Sequence, residues 1–242
     1  MKLSIIIPVY NEERTILPTL QKVIAVIIPK FRKEIIVVDD GSSDATASKI
    51  RSSIRQLTDK TQNLLLVKHQ KNKGKGKAVR TGIEKATGDF IIIQDGDLEY
   101  DPKYIPELVE YAVQNRGCVV YGTRLNRLPH VKKEERTVRF LIHYLGNKFL
   151  SLLTSFLYGA WINDMETGYK VFPKEIFKKI TLNASGFDFE AEVTAKVLKA
   201  GISIKEISIS TNPRGYDAGK KLHTVKDGMQ AFWTLIKYRF TD

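Results

Sequence analysis

Cysteine is almost missing from this chain: Cys118 is the one example in 242 residues. That excludes a disulfide framework and any cysteine-built zinc site, and it makes the cytosol the expected compartment. Long apolar runs are also lacking. The nearest, Phe149–Ile162, is uncharged but only 14 residues long, short of the ~18–20 that a membrane span needs. The N-terminus does not have the layout of an export signal. Its apolar run stops at Pro8, and Asn11-Glu12-Glu13 follows, which reads as a buried strand entering a loop. Acid is scarce relative to base, with 27 Asp and Glu against 39 Lys and Arg, a formal charge of +12. Anionic partners are therefore expected: nucleotide phosphates, nucleic acid or an anionic lipid surface. There is no internal repeat, low-complexity tract or linker, so one domain is expected.

What is present is an alternation of short apolar runs and amphipathic ones. Strands are predicted at Leu3–Val9, Glu34–Val38, Leu64–Lys68, Phe90–Gln94 and Cys118–Gly122. Between them fall predicted helices at Glu12–Ile28 (with Pro18 as a potential kink), Asp44–Leu57, Lys77–Ala86 and Pro102–Asn115. That pattern predicts an α/β fold with a mainly parallel central sheet, whose ligands bind beyond the carboxyl ends of the strands. After Gly122 the pattern changes. Leu125–Arg139 is basic and aperiodic, and Phe140–Tyr158 reads as a helix rich in Leu and Phe. Tyr169–Phe172 and Ile202–Ser210 read as strands, Phe189–Lys199 and Val225–Phe240 as helices. A donor-binding half at 1–122 and an acceptor half at 123–242 are expected within the single domain.

Polar residues cluster where the first four strands should end, so four loops are expected to converge on one cleft. Asp95, Asp97 and Glu99 alternate at the end of the fourth strand. Hard oxygen ligands of this kind suit Mg²⁺ or Mn²⁺ bridging a diphosphate; a solvated acidic turn is the alternative. Lys68–Arg80 carries six Lys or Arg and no acid. Its Gly74 and Gly76 precede a helix, so backbone amides and lysines such as Lys75 could cradle phosphate there, although it is not a P-loop. Of Asp39 and Asp40, one is expected to hydrogen-bond a nucleobase or ribose, while Asp44 caps a helix.

Together these segments resemble family 2 glycosyltransferases of the GT-A fold, a Rossmann-like three-layer arrangement. They are I-I-I-P-V-Y-N-E at Ile5–Glu12, V-V-D-D-G-S-S-D-A-T at Val37–Thr46, N-K-G-K-G-K-A-V at Asn72–Val79 and Q-D-G-D-L-E-Y-D-P at Gln94–Pro102. The second half resembles a narrower branch, the polyprenyl-phosphate sugar synthases typified by dolichyl-phosphate mannose synthase. Its matching stretches are Tyr121–Arg124, D-M-E-T-G-Y-K-V-F at Asp164–Phe172, F-D-F-E-A-E at Phe187–Glu192 and N-P-R-G-Y-D-A-G-K-K at Asn212–Lys221. The resemblance implies inverting transfer of a hexose from a nucleotide sugar, such as GDP-mannose or UDP-glucose, to a polyprenyl phosphate. It implies Pro8, Tyr10, Glu12 and Asp40 at the nucleotide, and Asp95 and Asp97 as the D-x-D motif with Glu99 at a third metal-facing position. It also implies Arg124, Arg139 and Arg214 near donor or acceptor phosphates. The family's R-x-x-G-x-S-K register is altered here, with Asp217, Gly219, Lys220 and Lys221 following Arg214.

A lipid phosphate is already ionised near neutral pH and needs only cations to position it. A sugar hydroxyl acceptor would instead require a carboxylate base, with Asp164 first in line and Glu190 or Glu192 behind it; a structural loop carboxylate is the alternative for Asp164. The segment 140–161, with Lys132, Lys133, Arg136 and Arg139 just before it, reads either as a membrane-interface helix, Tyr158 and Trp161 lying at headgroup depth, or as a core or dimer helix. No membrane anchor follows before Asp242, so membrane contact is expected to be peripheral or through a membrane-anchored partner. Competing classes are a transferase acting on a saccharide or other soluble acceptor, a silent scaffold, and a basic nucleic-acid binder. The coherent carboxylate cluster and the lack of a nucleic-acid motif argue against the last, and no nucleic-acid partner is expected.

Overall fold

The computed structural model describes residues 1–57, 63–125, 138–212 and 224–241. Seven strands form one sheet: β1 (Lys2–Val9), β2 (Arg32–Asp39), β3 (Leu64–Lys68), β4 (Phe90–Ile93), β5 (Val119–Thr123), β6 (Lys170–Pro173) and β7 (Ile204–Ser208). Their spatial order is β3-β2-β1-β4-β6-β5-β7. The pairs among β1–β4 and the β5–β7 pair are parallel, whereas β6 runs antiparallel to both β4 and β5. The expected mainly parallel α/β sheet is therefore present, with one reversed strand inside it.

Seven α-helices accompany the strands in the described residues: α1 (Ile16–Ala25), α2 (Thr46–Leu57), α3 (Lys75–Lys85), α4 (Ile105–Gln114), α5 (Val138–Tyr158), α6 (Phe189–Lys199) and α7 (Thr224–Phe240). β1 shows why helices must cover both faces. Its alternating side chains send Ile5 and Ile7 into one apolar cluster with Ile16, Leu20 and Leu108, and Ile6 into another with Ala78 and Ile91. α1 and α4 thus lie on one face and α3 on the other, with α6 continuing the second face through Phe189 and Val193. α5, α6 and α7 share a further cluster built on Leu150, Ala191, Ala195 and Leu235.

α1 starts four residues later than the periodicity predicts. The Glu12 carbonyl takes the amides of Thr15 and Ile16, so residues 12–15 form a turn. Pro18 then sits in the first helical turn, where a missing N–H costs nothing, and the helix continues to Ala25. Pro102 likewise opens a 3₁₀ turn, Pro102–Tyr104, with the Asp101 side chain accepting from the Lys103 amide at 3.0 Å.

Strand polarity places the ligand-binding edge. β1, β2, β3, β4 and β5 all end there, and reversed β6 begins there. The loops after the parallel strands and the turn before β6 consequently face one another. The chain runs from β1 through β2 to β3 on one side and then crosses back to β4 on the other side of β1, and this reversal of strand order opens a crevice at this edge.

Candidate active site

A cavity of about 380 Å³ occupies that crevice. Its walls come from the ends of β1 (Pro8, Tyr10, Glu12), β2 (Asp40), β3 (Asn72, Gly74, Lys75) and β4 (Asp95, Asp97, Glu99). From the second half come Arg124, His143, Glu166, Gly168, Phe187 and Glu190. The convergence expected of the four loops is thus found, and the second half closes the far side.

In the basic loop after β3, expected to cradle phosphate, the amides of Lys73, Gly74, Gly76 and Lys77 are engaged within the protein. Asp40 accepts from the amides of Lys73 at 3.0 Å and Gly74 at 2.7 Å, and from His69 Nδ1 at 2.6 Å. The Gly76 and Lys77 amides donate to the carbonyls of Gly186 and Ser185. Gly74 has φ +92°, and a Cβ there would lie 2.2 Å from the Ser185 carbonyl, so only glycine permits this approach. The pinned loop delivers the Lys75 side chain into the cavity, 2.9 Å from Asp95 and 3.3 Å from Glu190. Burial opposes the Lys75 charge, but the two carboxylates outweigh it and raise its pKa.

Asp39 and Asp40 divide their work. Asp40 lines the cavity, yet its carboxylate fastens the 69–74 loop. Asp39 Oδ1 takes the Ser42 amide at 3.0 Å, while Oδ2 is buried without a hydrogen bond, 3.8 Å from Lys68 Nζ. Asp44 is structural: its oxygens take the amides of Thr46 at 2.9 Å and Glu13 at 3.2 Å.

Asp95, Asp97 and Glu99 lie together on the cavity wall. Asp97 Oδ1 accepts the Glu99 amide at 3.1 Å. Among the described residues no group of three or more His, Cys, Asp or Glu side chains is arranged to enclose a metal. The expected three-carboxylate ligand set is therefore not assembled by the protein alone: Asp95 is engaged with Lys75. Oxygen donors on a cavity wall still fit Mg²⁺ or Mn²⁺, since such ions are commonly held by one or two carboxylates plus substrate phosphates.

The second half corrects the assignment of a base. Asp164 is fully buried. Its carboxylate receives Arg124 Nε at 2.8 Å, Nη2 at 2.8 Å and the Arg124 amide at 2.9 Å. Burial would raise its pKa, but the Arg124 charge and hydrogen bonds prevail and hold it below the ordinary carboxylate range. Asp164 thus aims Arg124 at the cavity instead of facing it. Glu192 is equally withdrawn, accepting the amides of Asn183 and Ala184 and pairing with Lys196 at 2.9 Å. Glu190 is the member of the pair that faces the cavity, and it is 2.5 Å from fully buried Lys170.

Residue-type reasoning overlooked Glu166. It lines the cavity, and its Oε1 is buried with no hydrogen-bond partner. Burial and the Glu190 carboxylate push its pKa up to about 7, against the pull of Lys170 and Arg124. Gly168, two residues on, explains its position. A Cβ on Gly168 would lie 2.5 Å from Asp95 Oδ2, so glycine lets this turn press against the β4 carboxylates. The Gly168 amide donates to the Tyr100 hydroxyl at 2.7 Å.

Arg214, Asp217, Lys220 and Lys221, with Lys132, Lys133 and Arg136, lie outside the described residues, as does the side chain of Arg139 within α5. Among the described residues no helix is long and apolar enough to cross a membrane.

α5 is apolar on two sides, since Leu150 is buried with Leu153 and Leu157 packed against the same cluster. Asn147, Ser151 and Thr154 face inward, while Leu145, Phe149, Leu152 and Phe156 form an exposed stripe, Phe156 at 84%. α7 extends it with exposed Met229 and Trp233, and the rings of Phe149 and Phe232 stack with centroids 6.4 Å apart. A contiguous patch of this kind marks an interaction surface.

Residues 4–181 match the family model described as Glycosyl transferase family 2. A dodecaprenyl-phosphate galacturonate synthase of Rhizobium johnstonii is 28% identical over 91% of this chain, which spans 62% of that protein's length. A dolichyl-phosphate beta-glucosyltransferase of Dictyostelium discoideum is 28% identical over 98% of this chain and 74% of its own. In three dimensions, glucosyl-3-phosphoglycerate synthase from Mycobacterium tuberculosis, solved with Mn²⁺, UDP and phosphoglyceric acid, superimposes with a TM-score of 0.72 at 19% identity, over 100% of this chain and 79% of that one. The family match, joined to a cavity at the switch point of this sheet, makes the chain a member of glycosyl transferase family 2, a glycosyltransferase of the GT-A fold.

Proposed function

We propose that this glycosyltransferase moves a hexose, with inversion, from a nucleotide sugar to a polyprenyl phosphate and depends on a divalent cation. Residues 1–122 form the donor half and the remainder the acceptor half. The observation that carries the lipid acceptor is the exposed apolar face of α5 and α7. It adjoins the cavity, because α5 contributes both His143 to the wall and exposed Leu141, Ile142 and Leu145 beside it. A polyprenyl chain can lie against that face, or the face can rest in the lipid surface, while the phosphate enters the cavity. Exposed Lys226, Lys237 and Arg239 on α7 suit anionic headgroups. The two polyprenyl-phosphate relatives agree with this reading.

Charge argues for the cation. Among the described residues, seven carboxyl side chains line the cavity against Lys75 and Arg124. A diphosphate entering that surface is repelled unless positive charge comes with it. Asp97, with Asp95 beside it, would hold Mg²⁺ or Mn²⁺, which supplies charge neutralisation at the leaving diphosphate. Structural neighbours were crystallised with Mn²⁺ or Mg²⁺ and UDP. Pro8, Tyr10 and Glu12 would flank the nucleotide, and Asp39 Oδ2 is the buried acceptor left over in the β2 loop. In the displacement, an acceptor phosphate oxygen bonds to the anomeric carbon as the bond to the diphosphate oxygen breaks. Lys75 and Arg124 help bear the departing charge.

The test is a nucleotide-sugar panel with polyprenyl phosphate, with and without chelator, followed by product identification. Metal-dependent formation of a polyprenyl-phosphate sugar is expected; transfer only to soluble hydroxyl acceptors would overturn the acceptor assignment. That second reading has one observation in its favour: Glu166, poised near pH 7 in the cavity, has the character of a general base.

A further inference from the structure

The cavity has an order along the sheet. The β1, β2 and β3 loops hold one end, the β4 carboxylates the middle, and the turn before β6 with the start of α6 the other end. A nucleotide sugar laid with its base among the first loops and its diphosphate at Asp95 and Asp97 therefore places its sugar beside Glu166, Gly168 and Glu190.

The cations at that end are committed. Arg124 is bound by two of its nitrogens to Asp164. Lys170 donates to Glu190 and to the carbonyls of Met165 and Thr167. Lys75 lies between Asp95 and Glu190. Two buried oxygens at this end make no hydrogen bond: Glu190 Oε1, which lies 3.3 Å from Lys75, and Glu166 Oε1. An orphaned buried acceptor costs free energy until a donor reaches it, and a sugar hydroxyl is such a donor.

We propose that Glu166 reads the transferred sugar: its carboxyl hydrogen-bonds a hydroxyl of a neutral hexose held beside Asp95, and together with Glu190 it turns away a donor whose sugar carries a carboxylate. This rests on the nucleotide-sugar reading above. A site that bonds a substrate hydroxyl discriminates through the group left unpaired when the hydroxyl is missing. A uronate would instead bring a third carboxylate against Glu166 and Glu190, at an end where Lys75, Arg124 and Lys170 are already paired with carboxylates.

The experiment compares wild type, Glu166→Gln and Glu166→Ala with UDP, GDP, UDP-glucose, GDP-mannose and UDP-glucuronate in Mn²⁺, reading Kd for each and kcat and KM for turnover of the sugar donors. Wild type should prefer the neutral donors, a measurement independent of any variant's folding. Glu166→Ala should lose about tenfold to a hundredfold in kcat/KM for its neutral donor, chiefly through KM. Glu166→Gln keeps an accepting oxygen and should lose less, while its relative use of the uronate donor rises. Affinity for the nucleoside diphosphate alone should follow wild type in both variants. Comparable kcat losses in Gln and Ala with KM unmoved would make Glu166 a base and overturn the proposal, as would wild-type preference for the uronate. If no nucleoside diphosphate binds even to wild type, the donor reading itself falls and takes this inference with it.

Discussion

The loops after β1–β4 and the segment from Asp164 to Glu192 use charged residues in opposite ways. In the first region polar side chains fasten loops: Asp40 takes the amides of Lys73 and Gly74, Asp44 those of Glu13 and Thr46. Asp95, Asp97 and Glu99 are left on the cavity wall. In the second region charges meet charges in the interior: Asp164 with Arg124, Glu190 with Lys170, Glu192 with Lys196. Buried pairs of this kind add little net stability, but each member depends heavily on the other. Asp95 and Asp97, on the cavity wall, are therefore candidate ligands, whereas Asp164 and Glu192 are first struts for their cations.

The comparison can be broken most forcefully at the D-x-D motif. Asp97→Ala should abolish transfer, by at least about a thousandfold, while thermal unfolding stays near wild type. Its carboxylate is on the cavity wall, where Oδ1 accepts the nearby Glu99 amide. Activity that survives the substitution, or survives excess chelator, would remove Asp97 from the machinery. At Asp164 the opposite signature is expected. Asp164→Asn keeps the shape but leaves the buried Arg124 cation without its counter-charge, so stability should fall by about 3–5 kcal/mol. Activity should fall with it. Denaturant unfolding beside transfer rates separates the two roles. A general base would lose activity at unchanged stability, and that result would restore Asp164 to the catalytic group.

Much of the first region was legible because periodicity and position carry it. β3 and α6 have the very bounds that their apolar patterns predict, and the four polar loops do share a cavity. Three features were not legible, each for a physical reason. The reversal of β6 leaves no mark in four residues buried on both faces. The Gly76 and Lys77 amides looked free because their partners, the carbonyls of Gly186 and Ser185, lie over a hundred residues away. Asp164 and Glu166 are two apart in one motif, and nothing in their residue type says which meets Arg124 and which meets the cavity. Gly168 was the available clue: an adjacent glycine against Asp95 marks the side from which the turn approaches. The α5 stripe was visible as Leu and Phe content, but its outward direction follows from Asn147, Ser151 and Thr154 facing inward.

The smallest expected effect lies at Glu34, far from the cavity, where a carboxylate has no ligand to serve. It accepts from Lys2 Nζ at 2.7 Å, Ser4 Oγ at 2.6 Å, the Thr87 amide at 2.8 Å and Thr87 Oγ1 at 2.7 Å. Burial would raise its pKa, yet these donors outweigh burial and pull it down to about 2 from the ordinary 4.5. Because the folded value is depressed, the ionised carboxylate contributes stability that is fully present above 4.5 and is lost as pH falls toward 2. Glu34→Gln should therefore cost about 1–2 kcal/mol at pH 7 and progressively less below pH 4.5, with transfer unaffected at any pH where both proteins are folded. Denaturant unfolding of the two proteins at pH 7 and pH 3 reads the difference directly. A gap that stays constant between those pH values would mean that the amide's geometry, not the charge, is what the fold misses, and Glu34 would then belong with the neutral struts.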